Sequence, residues 1–302
     1  MLRAHPNFST KVFKSFYSLQ SQLVAGFNFK ILAMLFRKVY MLIWFVVGAI
    51  ILSIIIFKYY RKNRESDFFK LIKKLAHQGN PRDQINLAMM YYQGNGVHKD
   101  FTKAIEWAEK ASIQGSSEAL FAMGIMYTNK NDLKAFESYL QSAIQGNINA
   151  KEMTGLMYKE GRGVKQDHIK AFEWMQKAAM QDHANAQNEL SRIYAEGRGV
   201  KQDHIKAFEW MQKAAIQDHA NAQNELGAMY DEGRIIQQDY NKAFHWYLKA
   251  AVQGNAQAQF NLSGMYYQGK GVQPNKAEAL LWLDKSCKNG YKDACRAYQA
   301  LN

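Results

Sequence analysis

The residues of this 302-residue chain best suited to chemistry are four histidines and two cysteines. His168, His183, His204 and His219 each follow an aspartate. A carboxylate beside an imidazole is a pairing used in acid–base catalysis, and a row of histidines is one way to hold metal ions. The spacing favours a plainer reading. His168 and His204 lie 36 residues apart, as do His183 and His219. They occupy equivalent places in two copies of one unit, whereas an active site needs one convergence of groups. Asp167-His168 and Asp182-His183 therefore read as a helix cap and a loop, and the histidines as solvated positions. The sequence has no His-Glu-x-x-His, Gly-x-Gly-x-x-Gly, phosphate loop or Ser-x-x-Lys, the signatures that would place a metal, a dinucleotide, a phosphate or an acylated serine. The Cys/His cluster of a structural zinc site is missing too. No catalytic residue, cofactor or metal is assigned, and an enzyme is not expected.

The elements around these residues repeat. Residues 160–190 and 196–226 are one 31-residue block written twice, differing only at Met180 and Ile216. The 36-residue period extends further, through Tyr158, Tyr194, Tyr230 and Tyr266, through Trp174, Trp210, Trp246 and Trp282, and through Ala171, Ala207, Ala243 and Ala279. An earlier unit carries Tyr91, Gly94, Gly96, Val97, Asp100, Ala104 and Trp107 at the same offsets. In the next, 117–146, Tyr127 stands only 8 residues before Ala135 and Ser138 replaces the tryptophan. A fixed period of this size marks a stacked helical array. Six units fit between about residues 82 and 290, flanked by half-units at Phe68–Gly79 and Lys292–Leu301.

Each unit reads as two antiparallel helices. The first, as in Ala186 to Tyr194, repeats apolar residues at i, i+4, i+7 and i+8, one helical face. Glu-Gly-x-Gly-Val stops it, because glycine takes the left-handed geometry of a helix C-cap cheaply. Asp167, Asp203, Asp239 and Asn275 stand where they can cap the second helix. That helix sets Ala171, Trp174 and Ala178 on one stripe, and the tryptophan reads as core. Neither helix can bury its face alone, so the units must stack. The predicted fold class is all-α.

The run A-x-A-Q-x-x-L-G-x-M-Y-x-x-G-x-G-V-x-x-D-x-x-K-A-x-x-W-x-x-K-A-A-x-x-G resembles the Sel-1-like repeat, over roughly residues 68–301. The resemblance implies a right-handed α/α superhelix, similar to tetratricopeptide arrays with a longer loop, that acts as an adaptor for protein partners. The chain departs from the pattern in the short second unit and at Ile235-Ile236, where Gly-Val is expected.

The net charge of +13 suggests nucleic acid, but its distribution removes the signal. Residues 1–64 hold ten Lys/Arg and no Asp or Glu, leaving 29 basic against 26 acidic residues for the rest. A nucleic-acid binder needs a basic stripe on the array itself, so no such partner is expected. Val39–Phe57 is 19 uncharged residues between Lys38 and Lys58. At about 1.5 Å per residue, this length spans a hydrocarbon core of ~30 Å. The expected organisation is a basic tail (1–38), a transmembrane helix (39–57), a basic juxtamembrane linker (58–67) and the solenoid (68–302), in an inner, cytoplasmic membrane.

Two arguments on orientation conflict. Seven Lys/Arg between residues 58 and 74, against three in the 15 residues before the span, favour repeats in the cytoplasm. The cysteines point the other way. Cys287 and Cys295 stand in columns that hold Ala251 and Gln259, Ala215 and Gln223, and Ala179 and Gln187 in preceding units. They resemble the bonded pairs of the secreted, cysteine-rich branch of the family, and a disulfide implies an oxidising compartment such as a periplasm. Two free packing cysteines are the other reading. The acid-free tail resists export, which also places the repeats outside, and the expectation leans to periplasmic repeats. Met34 is an alternative start that gives a conventional signal-anchor.

Binding is expected in the groove lined by first helices. There the columns Glu152, Asn188, Asn224, Phe260 and Leu156, Arg192, Ala228, Gly264 vary on a fixed scaffold. Variation suits a reading surface and suits unconstrained solvent positions equally. Asn188, Arg192, Asn224 and Phe260 are the candidate partner-binding residues. The functional expectation is a membrane-anchored scaffold for a protein or peptide. The alternatives are a cell-wall or β-lactam-active enzyme, by analogy with cysteine-rich relatives, and a purely structural spacer.

Overall fold

A computed structural model describes residues 67–302, and the array forms one compact unit, Phe69–Asn302. The tail, the span and residues 58–66 of the linker lie outside the described residues. Among the described residues there are fourteen helices and no strand, and no helix is long and apolar enough to cross a membrane. We number them α1 (67–77), α2 (Pro81–Gln93), α3 (Phe101–Ile113), α4 (Ser117–Tyr127), α5 (Asp132–Ile144), α6 (Ile148–Glu160), α7 (His168–Ala179), α8 (Ala184–Glu196), α9 (His204–Ile216), α10 (Ala220–Glu232), α11 (Tyr240–Val252), α12 (Ala256–Gln268), α13 (Lys276–Lys288) and α14 (Lys292–Leu301). Even-numbered members from α2 to α12 are the first helices of six units, and α3 to α13 the second. α1 and α14 are the flanking half-units.

The helix ends follow from local chemistry. Asp100, Asp167, Asp203 and Asp239 each accept backbone N–H groups of the helix they precede, and Asn131 and Asn275 do the same for α5 and α13. First helices are capped by Asn80, Ser116, Asn147 and Asn255, and by the imidazoles of His183 and His219. Backbone N–H groups, chiefly those of Lys103, Lys170, Lys206 and Lys242, hold the four aspartates below the usual carboxylate range. A lowered folded-state pKa stabilises the fold above the unfolded value, and that contribution is lost as pH falls through the folded one. The melting temperature is therefore expected to fall as the pH drops below the ordinary aspartate value of about 4, and Asp203→Asn should flatten that fall. An unchanged pH profile in this variant would remove the caps as its cause.

Packing between units repeats as well. Phe136–Tyr158, Phe172–Tyr194, Phe208–Tyr230 and Phe244–Tyr266 meet edge to face, with centroids 5.1, 5.5, 6.0 and 5.3 Å apart. Each pair joins a second helix to the next first helix. The alanine columns are buried as the pattern predicts, but the tryptophans correct it. Trp107 and Trp282 are buried, whereas Trp174, Trp210 and Trp246 are half-buried. The large side chain buried more deeply is the next one along, Met175, Met211, Tyr247 or Leu283. The tryptophan covers the joint, and the lysine three residues on lies over its ring, at 4.2 Å for Lys177 and 4.1 Å for Lys213. The single difference within the duplicated block, Met180 against Ile216, falls on side chains 69% and 70% exposed, so it disturbs no packing.

The short unit closes by substitution of parts. Tyr139 is buried against Gly124, where a Cβ would lie 2.4 Å from the ring. It occupies the place Met175 and Met211 fill elsewhere, so the missing tryptophan costs the core little. The second loop glycine has a different constraint. At Gly163, Gly199 and Gly271 φ is positive, and a Cβ would meet the carbonyl oxygen of Asp132, His168 or Tyr240 at 2.0, 2.1 or 2.2 Å. Each loop thus rests on the start of the preceding unit's second helix. At Ile235 this close approach is given up: it is not among the residues with positive φ, and its side chain is 40% exposed.

Candidate functional site

Polar side chains tie neighbouring first helices into one face. Lys159 Nζ donates to Glu189 Oε2 at 2.6 Å, and a His183 ring nitrogen lies 2.9 Å from Asn149 Oδ1, both joining α6 to α8. Asn255 donates to Asn221 at 2.8 Å and Asn261 to Asn224 at 3.1 Å, joining α10 to α12. His183 and His219 are therefore partly buried caps rather than solvated loop positions. Their rings replace the asparagine that opens α6 and α12. Burial lowers the pKa of His219, and a neutral ring is what accepts the Ala222 N–H at Nδ1.

The four candidate residues differ in what they offer. Asn188 and Asn224 are 8% and 6% exposed, so they contribute to the floor of this face. Asn224 Oδ1 is taken by Asn261, while Asn188 Oδ1 is buried without a donor. Arg192 is half-exposed and donates to Glu189 Oε1 at 2.9 Å. Phe260 packs against Tyr291, centroids 5.2 Å apart, and lines a cleft of about 330 Å³ with Asp231, Gly264, Tyr267, Leu283 and Leu301. Gly264 opens this cleft, since nothing lies within 4 Å of where its Cβ would be. Burial raises the pKa of Glu152 and of Glu225.

A buried amide column holds the face in place. Gln84, Gln187, Gln223 and Gln259 donate to the carbonyls of Ala76, Ala179, Ala215 and Ala251, at 3.3, 3.2, 3.0 and 2.9 Å, in the last turn of the preceding second helix. Their Oε1 atoms accept from Gln114, Gln217, Gln253 and Asn289, at 2.8, 2.7, 2.7 and 2.9 Å, just past the following second helix. Each glutamine joins three helices. Lys151 occupies this column in the third unit, buried, with its pKa lowered by that burial. At the C-terminal end Cys287 and Cys295 occupy the alanine and glutamine columns and are joined as a disulfide, Cα atoms 4.7 Å apart. A covalent link stands there where a hydrogen bond stands in the units before it. Among the described residues no group of three or more His, Cys, Asp or Glu is placed to hold a metal ion.

Paired antiparallel helices, stacked through one repeated core with a polar variable face, define an all-helical repeat solenoid. Residues 81–116, 117–147, 149–183, 184–219, 220–255 and 256–291 each match the Sel1 repeat, and the chain belongs to the Sel1 repeat family. It is similar to the Sel1 repeat protein from Oxalobacter formigenes, at TM-score 0.74 and 33% identity over 80% of this chain and 75% of that one. It is also similar to a protective antigen of uropathogenic Escherichia coli, at TM-score 0.70 and 32% identity over 75% of this chain and 50% of that one. A curated relative is HRD3B of Arabidopsis thaliana, a component of an ERAD-associated E3 ubiquitin-protein ligase, 30% identical over 110 residues. That match spans 35% of this chain and 18% of the relative. Sel1 repeat proteins are generally non-enzymatic scaffolds for protein–protein interaction.

Proposed function

We propose that this chain is a membrane-anchored scaffold whose first-helix face binds a protein or peptide partner, with the array on the periplasmic side of the inner membrane. The observation that carries the binding reading is the contrast between columns. Positions that pack or clamp largely repeat from unit to unit, whereas the column Glu152, Asn188, Asn224, Phe260 holds an acid, an amide in the two duplicated units and an aromatic. A spacer needs the first set only. The 19 uncharged residues Val39–Phe57 support the anchor, and the bonded cysteines support an oxidising side.

A reporter active only in the periplasm, fused to Asn302, is expected to give signal, and a cytoplasmic reporter there none. The reverse result would restore the positive-inside argument and direct the search for partners to the cytosol. Binding of the partner is expected to be saturable and to weaken about tenfold or more on Phe260→Ala, the loss typical of an aromatic anchor.

A further inference from the structure

The variable face has an imbalance of charge that bears on its partner. Glu152, Glu189, Glu225 and Asp231 all sit on its helices, and the cations beside them, Lys159, Arg192 and Lys270, are already engaged. Lys159 and Arg192 both bond Glu189. Lys270, at the edge of the Phe260 cleft, holds its ammonium 5.1 Å from the Tyr240 ring centre. Glu152 has His183 at 3.6 Å. Glu225 has no ion pair among the described residues, and the cation that most influences it, Arg192, is bonded elsewhere.

The hydrogen-bond inventory points the same way. Buried polar atoms are nearly always paired, so each exception calls for a cause. Three buried side-chain atoms in the described residues have no partner: Asn188 Oδ1, Asp231 Oδ1 and Trp282 Nε1. Both oxygens belong to the variable face. Asn188 is more than nine-tenths buried, and Asp231 forms a wall of the Phe260 cleft. Acceptors without donors, beside carboxylates without cations, call for a ligand rich in N–H groups that carries positive charge.

We infer that the partner of this face is a basic, extended peptide segment. Its arginine or lysine side chains pair with Glu225 and Asp231, and an apolar neighbour enters the cleft between Phe260 and Leu301. Arginine fits best, because its planar fork donates to two acceptors at once and its face stacks on aromatic rings. The inference rests on the binding role proposed above for the first-helix face and adds the chemistry of the occupant.

The test uses the full-length protein and two fluorescent decapeptides, each with a photoreactive end group. One alternates arginine with serine around a central leucine, and the other has glutamate in place of arginine. The arginine peptide is expected to bind at least tenfold more tightly and to cross-link to first helices. Glu225→Gln with Asp231→Asn, near-isosteric changes, should weaken it about tenfold. Glu106→Gln with Glu209→Gln removes the same charge from exposed positions on second helices and should leave affinity within twofold. Tighter binding of the glutamate peptide with cross-links on first helices would overturn the basic partner and leave the groove standing. Cross-links on second helices would overturn the groove and this inference together. Equal losses from the two double variants would reduce the effect to net charge and overturn the inference, as would no binding of either peptide.

Discussion

Replacing Gln223 with leucine is expected to destabilise the array by about 3 kcal/mol, although leucine is apolar, similar in size and placed in a fully buried site. Gln223 Nε2 donates to Ala215 O at 3.0 Å and to Asp218 Oδ1 at 3.1 Å, and its Oε1 accepts from Gln253 at 2.7 Å. Leucine removes all three bonds, each worth about 0.5–1.5 kcal/mol net, although Ala215 O keeps the Asp218 N–H and the Gln253 amide keeps Lys249 O. Gln202 also donates to a backbone carbonyl, Ala195 O at 2.7 Å, but it does so on the surface. There water takes over the bond, and Gln202→Leu should cost under about 0.5 kcal/mol. Urea denaturation measures the difference. Hydrogen exchange should place the loss in α9, α10 and α11, because a stacked array weakens where its nearest-neighbour contacts are cut. Similar midpoints for the two variants would mean that apolar stacking alone holds the units in register.

Gly199→Val is expected to cost about 2–3 kcal/mol, and Gly197→Val about half of that. Both glycines have positive φ, at +78° and +70°, so valine is strained at either. The surroundings differ. At Gly197 a Cβ meets Gln202 Cβ at 3.1 Å and its backbone nitrogen at 3.2 Å, whereas at Gly199 it meets the His168 carbonyl oxygen at 2.1 Å. A shift of a few tenths of an ångström within the loop relieves the first contact, but the start of α7 cannot clear the second without moving its unit. Ile235 indicates how the chain accommodates the change: the loop takes another backbone path and leaves the isoleucine at the surface. The valine variant should therefore remain folded, with faster hydrogen exchange at the α7–α8 joint and in the 197–203 loop. Equal costs at the two glycines would show that backbone strain, and not the close approach between units, requires the second glycine.

The sequence made the architecture legible because each unit repeats the same local signals. The 36-residue period, the aspartate caps and the loop glycines all act within a few residues of one another, and the structure places them as their spacing requires. Depth was less legible. Trp174 and Met175 both lie toward the buried side of their helix, and periodicity cannot tell which goes deeper; the small residue opposite, Gly155, decides it by admitting the methionine. His183 and His219 looked like solvated residues because imidazole is an uncommon cap. The glutamine column was visible in the sequence as a column, but its role depends on two backbone carbonyls and a residue 30 positions on. The acceptor surplus at Asn188 and Asp231 depends on which neighbours supply hydrogen bonds, and spacing does not carry that information.

The measurement that tests the central claim most directly is cross-linking in living cells. A photoreactive amino acid is placed at Phe260 or Arg192 on the first-helix face, and at Glu209 or Lys206 on the exposed side of α9, in the full-length protein. The account predicts one discrete protein adduct from Phe260 and Arg192, lost when Phe260→Ala is combined with the Arg192 probe, and none from Glu209 or Lys206. Adducts from α9, or none from the first-helix face, would contradict it and leave the repeats as a spacer.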